Sequence, residues 1–183
     1  MSELLPEIAK RRAYRALSEE PISREAIERM ITAATYAPSC ANNQPWRLLA
    51  VEQEEALNKV KEHLSGGNYW ARKAPLIFCI ITRPDLDCRT PDGREYALFD
   101  VGLAAMNLVL QGTREGLIAH PIAGFKPAPI KAALGVPEDH ILINLVICGR
   151  PGDDGHLSEK HLASEHGGRE RKPREEVARF NHF

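Results

Sequence analysis

The chain has 183 residues, 43% of them hydrophobic, which suits a single domain with one sizeable core. Its 24 Lys and Arg against 25 Asp and Glu leave a net charge of −1, which argues against nucleic acid or a membrane surface as the main partner. The longest unbroken apolar run, Leu76–Ile81, is far short of a membrane span, and residues 1–20 are charged throughout, with no apolar signal-peptide region. The four cysteines show no C-x-x-C spacing, and Cys79 and Cys148 sit in apolar runs as small core hydrophobes. That pattern predicts a reduced, cytoplasmic protein rather than a disulfide framework.

Glu3–Arg12 reads as a short helix with Leu4, Leu5 and Ile8 on one face. It runs into Lys10-Arg11-Arg12-Ala13-Tyr14-Arg15, a basic run that is either a solvated face or a phosphate site suited to the planar guanidinium fork. A second helix opens at Pro21-Ile22-Ser23, with Ser23 as N-cap and Glu25 in the first turn. Ile27, Met30, Ile31 and Ala34 form its buried stripe. The helix delivers the chain to the loop Ala37–Trp46. Pro38 ends the helix there, and Pro45 predicts an extended Gln44. Between the prolines lie only small or amide side chains. They suit an ordinary turn, or a flat polar ligand such as a flavin ring.

Trp46–Val51 reads as a short strand, Glu52–Leu64 as a helix, and Leu76–Thr82 as a strand buried on both faces. Arg83–Gly93 is a polar connection long enough to be a lid. Glu95–Glu115 is the longest helix, apolar around most of its circumference, so it must be buried against the core and a second subunit. Gly116 occupies the position where a helix-ending glycine belongs. A strand at Leu117–Ala119, the turn His120–Phe125, a helix at Pro127–Leu134 and a buried strand at His140–Cys148 follow. Gly152–Gly168 is polar and poorly patterned. Its His156, His161 and His166 recur every five residues, which does not place two imidazoles on one helix face, so no metal site is expected. Arg169-Glu170-Arg171-Lys172-Pro173 opens a last helix through Phe180. No G-x-G-x-x-G after a strand, G-K-[ST], H-E-x-x-H or G-x-S-x-G occurs, so neither a dinucleotide-binding nor a P-loop fold is indicated.

Ala37-Pro38-Ser39-Cys40-Ala41-Asn42-Asn43-Gln44-Pro45-Trp46 resembles the signature loop of the FMN-dependent nitroreductase family. Four more segments are similar to that family. They are the basic run at Arg11–Arg15, with Ala13 where Ser is usual, and the central helix with Asp100, Gly102, Ala104, Asn107, Leu108, Leu110, Gly116 and Leu117. The others are the turn Pro121-Ile122-Ala123-Gly124-Phe125 and the basic Arg169–Pro173 segment. The central helix departs at Gly112, where Ala is usual.

The resemblance implies an α+β, nitroreductase-like fold spanning 1–183: a mixed central sheet flanked by helices, with the long helix at the interface of a homodimer. It implies FMN, with Arg11, Arg12, Ala13, Arg15, Arg169 and Arg171 at the phosphate end. Pro38, Ser39, Cys40 and Asn42 would reach in from the partner subunit. Asn68 is the nearest candidate for the flavin-contacting Asn, and Pro121, Ile122, Ala123 and Gly124 would meet the reactive edge. It implies electron transfer from NADH or NADPH to a flat acceptor, a nitroaromatic or quinone, by a ping-pong cycle through one pocket. Arg15 is the residue assigned to stabilise charge on the reduced ring. A saturase or dehalogenase with a different acceptor and a non-catalytic flavin-binding protein are the alternatives.

Overall fold

The computed structural model describes residues 4–183. The start of the first expected helix, at Glu3, lies outside them. Seven α-helices and four strands follow one another: α1 (Pro6–Lys10), α2 (Arg24–Thr35), β1 (Arg47–Val51), α3 (Glu54–Lys61), β2 (Leu76–Thr82), α4 (Tyr96–Arg114), β3 (Ile118–Ile122), α5 (Pro127–Leu134), β4 (Ile141–Gly149), α6 (Glu159–His166) and α7 (Arg174–Val177). Among the described residues no helix is long and apolar enough to cross a membrane.

The strands lie in the order β1-β2-β4-β3. Every pair is antiparallel, so the expected mixed sheet is not what forms. A parallel pair needs a connection that crosses to the opposite end of the sheet. Here the segments linking β1 to β2 and β3 to β4 bring the chain back to the end it left. β2 has a partner on both sides and is buried at all seven positions, as its continuous apolar run requires. β3 runs further than expected, through His120 and Pro121 to Ile122. Pro121 is tolerated because β3 is an edge strand, where a missing N–H costs no ladder bond.

The sheet separates two apolar layers. On one face α2 and α4 pack through Ile27, Met30 and Ala34 against Val101, Ala104 and Leu108. The Asn107 amide ties α4 to α2 by donating to the Ala33 carbonyl at 3.2 Å. Gly112 lets these layers approach, since a Cβ there would lie 2.9 Å from Met30 Cε and 3.2 Å from Ala119 Cβ. On the other face lie α3, α5, the 3-10 segment Gly66–Lys73 and the chain from Tyr14 to Leu17.

Ser23 caps α2 as expected, accepting from the Ala26 N–H. Two C-terminal expectations change. Gly152–Gly168 contains α6, capped by Ser158, which accepts from the His161 N–H. The expected last helix through Phe180 is one turn, α7, because the backbone is already extended at Ala178.

Candidate functional site

The two ends of the chain are laced together. The Glu165 carboxylate accepts from the Arg15 N–H at 2.9 and 3.1 Å and from the Ala16 N–H at 3.1 Å. Arg12 donates to the Gly167 carbonyl at 2.7 Å. Arg169 donates to the carbonyls of Ile8 at 3.1 Å and Ala9 at 2.9 Å, and also to that of Arg11. These are carbonyls that a helix end leaves without internal partners, so Arg169 caps α1. The result is a concentration of cations. Burial lowers the Arg11 pKa, and the neighbouring charges of Arg169, Arg171 and Arg12 add to that. Among the described residues none of Arg11, Arg12, Arg15, Arg169 and Arg171 has a carboxylate ion pair. The Glu165 carboxylate is spent on backbone N–H groups, and like charges held together without ion-paired carboxylates raise the affinity of the place for an anion.

Beside this cluster the Arg15 guanidinium lies 5.8 Å from the Trp70 ring centroid, and His120 stacks on Trp70 at 4.6 Å. His120 Nδ1 is 3.0 Å from the Tyr14 carbonyl, so that nitrogen carries the proton and donates. Burial pushes the imidazole pKa down to about 4, with further lowering from Arg15, Arg11 and His161. The ring is therefore neutral at neutral pH. The Tyr69 hydroxyl accepts from the Ser158 N–H at 2.6 Å and lies 3.2 Å from His161 Nδ1. His166 is drawn to Asp154 instead, at 2.7 Å, so the three spaced histidines do not converge.

The Pro121–Gly124 turn borders the same layer. The Gly124 carbonyl accepts from Asn68 Nδ2 at 2.8 Å and from the Ser65 N–H at 2.9 Å. Any Cβ on Gly124 would lie 2.6 Å from Asn68 Nδ2, which explains glycine there. Asn144 Nδ2 holds the Ile122 carbonyl at 2.9 Å. Two buried polar atoms in this region, Trp70 Nε1 and Asn144 Oδ1, have no hydrogen-bond partner. An unpaired buried group costs about 1–3 kcal/mol, and both atoms lie out of reach of solvent.

The Pro38–Asn42 loop lies against the other face of the sheet. It follows Ala37 and precedes Trp46, both in the α2–α4 layer, whereas Tyr14 and Trp70 belong to the opposite layer. The structure thus brings Arg11, Arg12, Ala13, Arg15, Arg169 and Arg171 together, and Asn68 with Gly124. It does not bring Pro38, Ser39, Cys40 and Asn42 to them within one chain. The Cys40 N–H donates to the buried Asp100 carboxylate at 2.7 Å. Burial pushes the Asp100 pKa up, and the nearby Asp87 adds to this. Gln44 is not extended. Its φ is +50°, held by its N–H donating to Ser39 Oγ at 2.9 Å and by Thr82 Oγ1 donating to the Pro45 carbonyl at 2.8 Å.

The expectation of four free thiols is also corrected. Cys40 is disulfide-bonded to Cys88, with the Cα atoms 6.0 Å apart, while Cys79 and Cys148 are free and buried. The pair is 48 residues apart in sequence, and only the fold brings it together. Cys40, Asp87 and Cys88 cluster like metal ligands, but both sulfurs are used by the disulfide. A cleft of about 600 Å³ lies elsewhere, lined in part by Glu19, Glu52, Leu57 and Lys61. Beside Arg11, Arg12, Tyr14 and Pro151 there is a hollow of about 180 Å³.

Residues the sequence does not single out are Trp70, Glu165 and Asn144. Glu165 carries a faint signal, as an acidic residue near the end of a helix capped by Ser158.

The nitroreductase family model matches residues 8–68 and 63–150. The chain belongs to the nitroreductase family. The Bacillus subtilis FMN reductase [NAD(P)H] is 26% identical over 169 residues, covering 84% of this chain and 68% of that protein. A Thermus thermophilus NADH dehydrogenase is 24% identical over 182 residues, covering 82% of this chain and 88% of that protein. A solved oxidoreductase containing FMN superposes with a TM-score of 0.88 at 27% identity, covering 99% of this chain and 93% of that one. The two-layered antiparallel sheet with its long α4 is thus the nitroreductase fold.

Proposed function

We propose that this nitroreductase-family chain is an FMN-dependent oxidoreductase that takes electrons from NADH or NADPH and passes them to a flat acceptor, such as a nitroaromatic or quinone, by a ping-pong cycle. The observation that carries it is the set of arginines from both chain ends, gathered without carboxylate ion pairs in the same layer as the Pro121–Gly124 turn that Asn68 holds. That arrangement fits a ligand with a phosphate at one end and a flat polar ring at the other. The names of the FMN reductase and of the FMN-containing structure support the same reading.

Arg11 and Arg171 would hold the phosphate by charge-assisted bonds. Arg12 and Arg169 have part of their fork committed to carbonyls of the chain, so they would fix the shape of the cradle as well. Arg15, kept in place by the Trp70 ring and by Glu165, would set positive charge against the ring system. The Ile122–Gly124 backbone, pinned by Asn68 and Asn144, would line the reacting edge. When bound, FMN would supply the two-electron chemistry itself.

The loop of Pro38, Ser39, Cys40 and Asn42 would complete the site of a second copy, because it lies across the sheet from its own chain's arginines. α4 supports such a homodimer. Leu98, Phe99 and Met106 are 45%, 57% and 50% exposed on it, an apolar surface that a second copy would cover.

The test is to release the ligand by denaturation and chromatograph it, then titrate the holoprotein with NADH and with NADPH. FMN, bleached by a nicotinamide and recoloured by a nitroaromatic or quinone, is expected. FAD, or a flavin that neither nicotinamide bleaches, would overturn the reading.

A further inference from the structure

The disulfide joins the Ser39–Pro45 loop to the connection between β2 and α4. Ala41, Asn42 and Gln44 hold φ of 49°, 57° and 50°, a left-handed region that residues with a Cβ enter at a cost. The surroundings must therefore impose this shape. Ser39 Oγ holds Gln44, and the Cys40 N–H bond to Asp100 ties the loop to α4. Two links join the loop to the Cys88 segment: the sulfur bond, and the Asn43 amide, which donates to Asp87 at 3.3 Å. The Cys88 N–H in turn donates to the buried Asp87 at 2.8 Å. The ion pairs on either side, Arg83 with Asp85 and Asp139 and Arg94 with Asp92, are partly to largely exposed, and such pairs contribute little in water.

Both bonded cysteines are only half-buried in the single chain, and Cys88 lies outside the loop that would face a second copy, so its sulfur is the one an attacking thiolate can reach. Cys79 and Cys148 are the opposite case. Both are fully buried, and burial pushes the Cys79 thiol up to about 12 and the Cys148 thiol up as well, so neither forms a thiolate at neutral pH. Of the four sulfurs, the chemistry is confined to the pair that spans the loop.

We propose that Cys40–Cys88 is a reversible redox modification site that determines whether the Ser39–Pro45 loop is held in its ligand-binding shape. The proposal rests on the flavin reading given above. The reductant is a dithiol, either a small molecule or a vicinal pair on a protein. One of its thiolates attacks a sulfur, the Cys40–Cys88 bond breaks, and a mixed disulfide forms. The second thiol of the reductant resolves it. The dithiol leaves as a disulfide, and its two protons end on Cys40 and Cys88. Cys40 then keeps its N–H bond to Asp100 but loses its covalent tie to the Cys88 segment. Gln44 keeps its bond to Ser39, but the Asn43 amide is then all that joins the loop to the Cys88 segment, so Ala41 and Asn42 can relax out of the left-handed region and the loop presents a less fixed set of donors.

The test uses the full chain in air-equilibrated buffer and after dithiothreitol. Peptide mapping without reduction should give one cross-linked Cys40–Cys88 peptide. FMN titration by fluorescence quenching should give a Kd about tenfold weaker after reduction, equivalent to one decade in binding constant. Tryptic cutting at Arg89 and Arg94 should quicken on reduction, a readout that needs no flavin. Cys88→Ser should sit at the weaker Kd whether or not dithiothreitol is present. If that variant fails to fold, the comparison of oxidised with reduced wild type still decides. Free thiols at Cys40 and Cys88 in the air-equilibrated protein would overturn the proposal, as would an FMN Kd unchanged by reduction. No flavin binding in either state would overturn the cofactor reading and the gate with it.

Discussion

At the scale of single residues, the arginines divide by what their guanidinium groups already touch. Arg11 has no hydrogen-bonded partner for its side chain among the described residues, whereas Arg169 is committed to carbonyls of α1. Arg11→Ala should therefore weaken FMN binding by roughly ten- to a hundredfold, the value of one charge-assisted contact, with activity restored by excess FMN. Arg169→Ala should lose flavin and also lower the thermal midpoint, because three helix-end carbonyls lose their donor. Arg15→Ala should retain a slow turnover at saturating FMN. His120 gives a pH prediction. Its pKa is about 4 in the folded chain against an ordinary 6.5. The unfolded chain therefore binds its proton first. The stability from the neutral ring is complete above about pH 6.5 and is lost as pH falls toward 4, about 3 kcal/mol in all. Urea midpoints measured at pH 7.5 and 4.5 should differ less in His120→Gln than in wild type. The two basic runs were legible in the sequence, because runs of arginine need something to neutralise them, and the fold does draw them together. The roles of Trp70 and Glu165 were not. Each acts through a partner that only the folded chain brings near.

At the scale of elements, periodicity located what packing alone determines. β2, α2 and α4 fall where their apolar spacing places them, since each buries a continuous face or stripe. α6 escaped notice because it has no buried residue and hence no apolar stripe to read. The antiparallel pairing of all four strands escaped for another reason: it depends on where connections return, which local sequence does not encode. The unusual Gly112 did carry structural information. A Val there would push into Met30 and Ala119. Gly112→Val should destabilise the fold by about 1–3 kcal/mol, as overpacking does, and lower the urea midpoint without changing the slope of the transition.

At the scale of the whole molecule, the loop and the arginine cluster lie on opposite faces of one sheet, so a two-fold pair would build each site from two chains. This gives a complementation test. One variant carries Arg11→Glu and the other has Ser39 and Asn42 replaced by Lys. Each alone should bind little FMN. In a mixed dimer one site inherits both defects and the other inherits neither, so random mixing should restore roughly a quarter of the sites. A monomer would recover nothing on mixing. Phe99→Glu, in the exposed apolar surface of α4, should shift the mass in light scattering toward a single chain.

The lacing of the two chain ends has a consequence for how the protein is made. The bonds that lace the two chain ends join residues separated by 149 to 161 positions. A ribosome delivers the chain from its N-terminus, so Arg11 and Arg15 emerge long before Glu165 and Arg169 exist. The cradle must be among the last features to close, after the sheet has formed, and loop closure over such separations slows its assembly. Stalled nascent chains that expose only the first 150 residues contain all four strands but neither Glu165 nor Arg169, so they should form the sheet and capture little FMN. FMN uptake should begin only once the segment from Glu165 to Arg171 has left the ribosome.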